Sequence, residues 1–224
     1  MDLPLIHLKA QVARKMPNAA DPLIEFWSHL EGTIHPTDVE TFERFPNHGF
    51  NLDYPPPAYV GDLRTARIII LQNNGGYRQG VTDREFEDTG SEDRFRLALH
   101  KSEPANPEYT APYYLNRNYS AWLKSGAAAL VNGVAYRSID GKAADVKALT
   151  EELPSARFHR NWLIEKMVPE LIANERFVVL HRWSRWGDLA KILRGLPNVV
   201  QSPAPVSENL TRVEYEAADA FLNR

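Results

Sequence analysis

Four apolar residues in a row, Ile68-Ile69-Ile70-Leu71, three of them β-branched, run directly into Gln72-Asn73-Asn74-Gly75-Gly76-Tyr77. Such a run reads as a strand covered on both faces, the hallmark of a parallel sheet. Its abrupt change to amides and glycines is how an α/β domain builds a site. The strand carries a polar group to its carboxyl end, and glycine lets backbone pass close to a ligand. A tight Asn-Gly turn after a core strand is the simpler reading, but a second strand, Ala128-Ala129-Leu130-Val131-Asn132, ends in the same way.

The pattern then alternates. Strands are expected at about 67–72, 128–132, 177–180 and 198–200. Helices are expected at 91–101, 118–126, 159–173 (kinked at Pro169), after strand three through Gly195, and from a capping box at Thr211 and Glu214. The last helix should bury Val213, Ala217 or Ala218, and Phe221. The expected fold class is α/β: a three-layer α/β/α domain with a four-stranded parallel sheet and right-handed crossovers. Residues 59–224 form that domain. Residues 1–58 read as a helical N-terminal extension packed on it, with a helix capped by Asp21, carrying Leu23, Phe26, Trp27 and Leu30 inward and stopped by Gly32.

Composition narrows the function. With 224 residues and 43% apolar content the chain can bury a sizeable core. A formal charge of -3 argues against coating nucleic acid by charge alone. Without cysteine there is no disulfide, thiolate metal site or cysteine nucleophile. The histidines show no metal-ligand spacing, so no metal and no cofactor is expected. The opening residues are broken by Pro4, His7, Lys9 and Arg14, and a soluble cytoplasmic protein is expected. The glycine spacing gives neither a dinucleotide fingerprint nor a P-loop.

Ligands of a parallel sheet sit beyond the carboxyl ends of its strands. Four loops are expected there: 73–77, 132–137, 181–186 and 202–207. They offer amides from Asn74 and Asn132, a stacking face from Tyr77, and cations from Arg137, Arg182 and Arg185. His181 reads as structural, and the acidic stretch from Asp83 to Asp93 as a solvated loop.

Three of these segments resemble the uracil-DNA glycosylase superfamily. In its mismatch-specific branch the first motif reads Gly-Ile-Asn-Pro-Gly, which Gln72-Asn73-Asn74-Gly75-Gly76 matches at Asn74 and Gly76. The second strand of that superfamily ends Leu-Leu-Asn-x-Val, to which Leu130-Val131-Asn132-Gly133-Val134 is similar. Its last motif, His-Pro-Ser-Pro-Leu-Ser, looks like Ser202-Pro203-Ala204-Pro205-Val206-Ser207. The resemblance implies hydrolysis of the N-glycosidic bond of a flipped uracil or other deaminated or mismatched base, with damaged DNA as partner. Asn74 would orient the attacking water, Asn132 would read the Watson–Crick edge, and Gly75 and Gly76 would let backbone amides approach. Three departures stand out. Gly75 replaces the motif proline, and Ser202 occupies the place of a histidine that stabilises the departing base. The arginine expected soon after the last motif is no nearer than Arg212. The alternative is a non-catalytic module that binds a nucleobase, nucleotide or protein on the same fold.

Overall fold

The computed structural model describes residues 18–141 and 143–224. The expectation for the opening fifteen residues falls outside that range. Six strands form one sheet: β1 (Phe50–Asn51), β2 (Tyr59–Val60), β3 (Ile68–Gly76), β4 (Ala128–Ser138), β5 (Phe177–Leu180) and β6 (Val199–Gln201). The helices are α1 (Asp21–Ser28), α2 (Val39–Arg44), α3 (Thr82–Glu85), α4 (Ser91–Lys101), α5 (Pro112–Leu115) and α6 (Ser120–Ser125), followed by α7 (Ala144–Glu152), α8 (Pro154–Trp162), α9 (Val168–Ile172), α10 (Asp188–Leu193) and α11 (Arg212–Leu222).

The sheet is mixed, which corrects the purely parallel expectation. Its centre is parallel, in the order β4-β3-β5-β6, as the apolar runs imply. The two short strands β1 and β2 both add antiparallel to β4. They flank Pro55-Pro56-Pro57, and at two residues each they leave no periodic pattern to read. The boundary read at residue 58 therefore falls between two strands of one sheet.

The side chains of the central strands alternate between two helical layers. Ile69, Leu71, Ala129, Val131, Val178 and Leu180 pack against α1, α8, α9 and α10. Ile68, Ile70, Ala128, Leu130, Phe177 and Val179 pack against α5, α6 and α11. Beyond them, Val134 and Tyr136 of β4 meet Phe42, Phe50, Val146 and Leu149 in a smaller cluster.

Local details depart from the expectations for physical reasons. Ala20, not Asp21, is the N-cap of α1, and Asp21 instead accepts from Asn18 N within the preceding turn. The helix ends at Ser28 rather than near Gly32. Leu23, Trp27 and Leu30 are fully buried, while Phe26 is half-buried and stacks on His35 and Phe158. The helix expected at 159–173 begins earlier, at Pro154, and Leu163–Met167 winds as a π turn just ahead of Pro169. A widened turn is a known answer to a proline that cannot supply its N–H. The capping box of α11 is formed, but Val213 is exposed and the buried residues are Glu214, Ala218 and Phe221.

Candidate functional site

The first two motif segments are strand, not loop. β3 continues to Gly76 and β4 to Ser138, paired in parallel throughout with a bulge between Asn74 and Gly75. The pairing outlasts the apolar run because backbone hydrogen bonds do not depend on side-chain polarity. Pairing Gly75 and Gly76 with β4 places the amides of Asn74 and Asn132 on neighbouring strands, with Gln72 opposite Asn132 and Asn74 opposite Val134.

Asn74 is half-buried and its amide is held in one orientation. Its Nδ2 donates to the Gly75 carbonyl at 2.8 Å and to Ser138 Oγ at 2.7 Å. Its Oδ1 faces Gly141, where a β-carbon would come within 2.9 Å of it. Gly75 serves packing rather than approach of a ligand: a Cβ there would lie 2.6 Å from Pro57 Cγ. Gly76 is exposed, and a Cβ there would meet nothing. The Tyr77 hydroxyl reaches Asp83 at 3.4 Å, and its ring stacks on Tyr54.

Asn132 is almost fully buried. Its backbone carbonyl accepts from His159 Nδ1 at 2.7 Å, and His159 Nε2 accepts from Trp27 Nε1 at 2.7 Å. Burial drives the His159 pKa down to about 4, so the ring is neutral with its proton on Nδ1. The Asn132 side chain donates to the Pro57 carbonyl. Tyr114 is buried, and burial raises its hydroxyl pKa to about 12.

Ser202 begins the third motif and is buried beside α11. Its hydroxyl donates to Glu214 Oε2 at 3.0 Å. The fully buried Glu214 also accepts from Thr211 N and Oγ1 and pairs with His181 Nδ1 at 2.7 Å. His181 Nε2 in turn meets the Ser207 carbonyl at 3.0 Å. Burial alone would raise the Glu214 pKa, but the bonds from His181 and Thr211 outweigh it and hold the carboxyl below its ordinary range. The apolar period of α11 gave no sign that a buried carboxylate would organise this loop.

Arg137 and Arg182 face protein partners, and Arg185 is buried. Arg182 braces the last motif by donating to the Val206 and Ser207 carbonyls. Arg185 is buried, with its backbone N bonded to Asn73 Oδ1 at 3.1 Å, and burial lowers its pKa. Arg137 lies 3.1 Å from Glu85 and over the Phe86 ring. The pair is close but poorly aligned, since neither Arg137 Nη2 nor Glu85 Oε2 has a directed hydrogen bond. Burial raises the Glu85 pKa despite that neighbour. The acidic stretch is only partly a solvated loop: Glu87 and Asp88 are exposed between α3 and α4, whereas Asp83 lies in α3 and accepts from Tyr54, and Asp88, Glu92 and Asp93 pair with Arg94 and Arg96.

Ten buried side-chain polar atoms among the described residues have no hydrogen-bond partner. Two of these, Glu85 Oε2 and Arg137 Nη2, form an ion pair with each other, and six more lie about the carboxyl end of the sheet: Gln72 Nε2, Arg117 Nε, Tyr119 Oη, Arg137 Nε, Trp183 Nε1 and Arg185 Nε. All six can donate. Native interiors pair such groups with protein or ordered water, so these atoms have bonding capacity left for water or a ligand. On one side of this region two clefts flank the segment before α5 and share Phe95, Tyr109, Thr110 and Ala111 in their walls; the larger holds about 160 Å³. The rim carries two highly exposed apolar side chains, Ile139 and Val206, which are 79% and 73% accessible.

Among the described residues no cluster could hold a metal ion, and no helix is long and apolar enough to cross a membrane. No family model, curated protein or solved structure matches the chain. The likeness to the glycosylase superfamily rests on the motif residues themselves.

Proposed function

We propose that this protein is a glycosylase of the uracil-DNA glycosylase type, hydrolysing the N-glycosidic bond of a deaminated base flipped from DNA. The observation that carries the reading is the surplus of unpartnered buried donors around β3 and β4, the strands that hold Asn74 and Asn132. A base leaves its sugar as an anion with charge on its carbonyl oxygens. Donors aimed at that charge in a dry site lower the barrier.

Asn74 suits the orientation of water. With its Nδ2 bound to Gly75 and Ser138, it offers a fixed Oδ1 to accept from a water. Gly141 keeps that oxygen from being covered. The water oxygen bonds to the anomeric carbon, the C–N bond breaks, and the base departs with its electron pair and takes up a proton. Ile139 and Val206 provide apolar rim groups that could occupy the gap left in the base stack.

The inward-facing arginines favour a second reading, a binding module without turnover. Arg137 and Arg182 are engaged with protein and Arg185 is buried, so the three present no clamp for phosphates. One assay series separates the two. Oligonucleotides carrying uracil, hypoxanthine or mismatches are tested for excision, and abasic-site DNA is tested for binding. Excision by the wild type, lowered about 10²-fold or more in Asn74→Ala with abasic-site binding retained, supports the enzyme. Binding without excision selects the module, and neither activity rejects both.

A further inference from the structure

The two clefts beside the segment that leads into α5 are lined by no residue of β3 or β4, so they stand apart from Asn74 and Asn132. The larger, of about 160 Å³, is walled by the rings of Phe86, Phe95 and Tyr109 and by the carboxylates of Glu85 and Glu108. Roughly 150 Å³ is enough to hold benzene, so this space suits one small group and not a nucleotide. The smaller cleft shares Phe95 and Tyr109 and adds apolar surface from Val60, Ala98 and Leu99.

Glu85 sets the character of the larger cleft. Its side chain is 9% exposed, and Oε2 has no directed hydrogen bond although Arg137 Nη2 lies 3.1 Å away. Burial raises its pKa in spite of that guanidinium, as expected of a carboxylate short of positive partners. The surrounding charge runs the same way. Residues 83–108 hold eight acidic and four basic side chains, a net -4 within a chain whose total is -3. Three of those bases, Arg94, Arg96 and Lys101, are taken up by acids of the same stretch. In the cleft wall one base, Arg84, stands against the carboxylates of Glu85 and Glu108.

We infer that this cleft binds a small organic cation, an ammonium group on an apolar stem, with Glu85 as its counter-charge and Phe95 and Tyr109 as its aromatic walls. A ring face attracts a cation through its quadrupole, and this wall already uses that attraction once: the Arg137 guanidinium lies 5.4 Å from the centre of the Phe86 ring. The acidic surroundings draw cations toward the cleft and repel anions. A neutral ring would fill the space but leave the carboxylate without a donor. A metal ion fits poorly, because it needs several oxygen or nitrogen ligands and no group of three His, Asp or Glu among the described residues could supply them.

The probe is benzylammonium chloride, with benzyl alcohol and sodium benzoate as the neutral and anionic controls of the same size. Calorimetric titration of the full chain should show saturable one-to-one binding of benzylammonium, at least about 10-fold tighter than either control. Glu85→Gln keeps the shape and removes the charge, and should weaken that binding by about 10-fold or more. Phe95→Leu keeps apolar bulk without the ring, and should weaken it by about 3–10-fold. Absence of saturable benzylammonium binding overturns the inference. Equal affinity for benzyl alcohol overturns it as well, by showing a cleft indifferent to charge. Affinity unchanged in both variants places the cation elsewhere and also overturns it. Glu85→Gln strips Arg137 of its buried counter-charge, so its fold is checked by thermal melting first. Where that variant does not fold, Phe95→Leu decides alone, and unchanged affinity there overturns the inference.

Discussion

The buried chain Trp27–His159–Asn132 should give this protein a measurable acid sensitivity. His159 is fully buried between an indole donor and a carbonyl acceptor, and it can satisfy both only as a neutral ring. Its folded pKa of about 4 lies below the ordinary 6.5 of the unfolded chain. Between those values the unfolded state binds the proton and the folded state does not. Stability therefore falls as pH drops from about 6.5 to about 4, and is lost no further below that. At roughly 1.4 kcal/mol per tenfold, the gap corresponds to about 3 kcal/mol. For a chain of this size that is a melting shift of about 6–12 °C. His35, also depressed by burial, and Glu214 push in the same direction, while Glu85, raised by burial, opposes them. The contribution of His159 is isolated by comparing thermal melts of wild type and His159→Gln across pH 7.5 to 4. The variant should start less stable, having lost the histidine geometry, yet decline less steeply by about 3 kcal/mol. Parallel profiles for the two proteins would refute the assignment of a neutral buried histidine.

Two further substitutions probe the loop and the strand bulge. Glu214→Gln keeps the shape but removes the charge facing His181 and replaces an acceptor with a donor; unfolding by urea should show a loss of about 3–5 kcal/mol, and a loss under 1 kcal/mol would contradict the buried pair. Because its carboxyl is held below its ordinary range, that contribution is present at neutral pH and disappears as pH falls through the folded value. Gly75→Ala should cost about 1–3 kcal/mol through collision with Pro57, a rigid ring, and an unchanged urea midpoint would rule out the close approach.

The parallel centre of the sheet was legible because its strands carry nearly unbroken apolar runs, and the capping box of α11 because its chemistry is local. β1 and β2 were not legible: each is two residues long, and what holds them is a partner strand about seventy to ninety residues away. The candidate site divides along the same line. Asn74 and Asn132 could be singled out as amides following apolar runs. That Asn132 spends a donor on the Pro57 carbonyl depends on a chain crossing that no local pattern records. Gln72 passed unnoticed for the opposite reason, since its distinction is a bond it does not make. Glu214 looked like half of a capping box, which it is, but its second oxygen serves a histidine thirty-three residues back.

β4 pairs with β1, β2 and β3, and every one of its residues is buried. Everything made before it must therefore wait for it. As the chain is synthesised, helices α1 to α6 can form early, but three strands have no neighbour until Ala128–Ser138 arrives. The order of assembly is thus written into the topology: one late strand converts a set of unpaired segments into a sheet in a single step. Such non-local closure makes for slow folding. It also makes residues 128–138 the stretch whose amide protons should exchange last, and the place where a nascent chain is most exposed to mispairing.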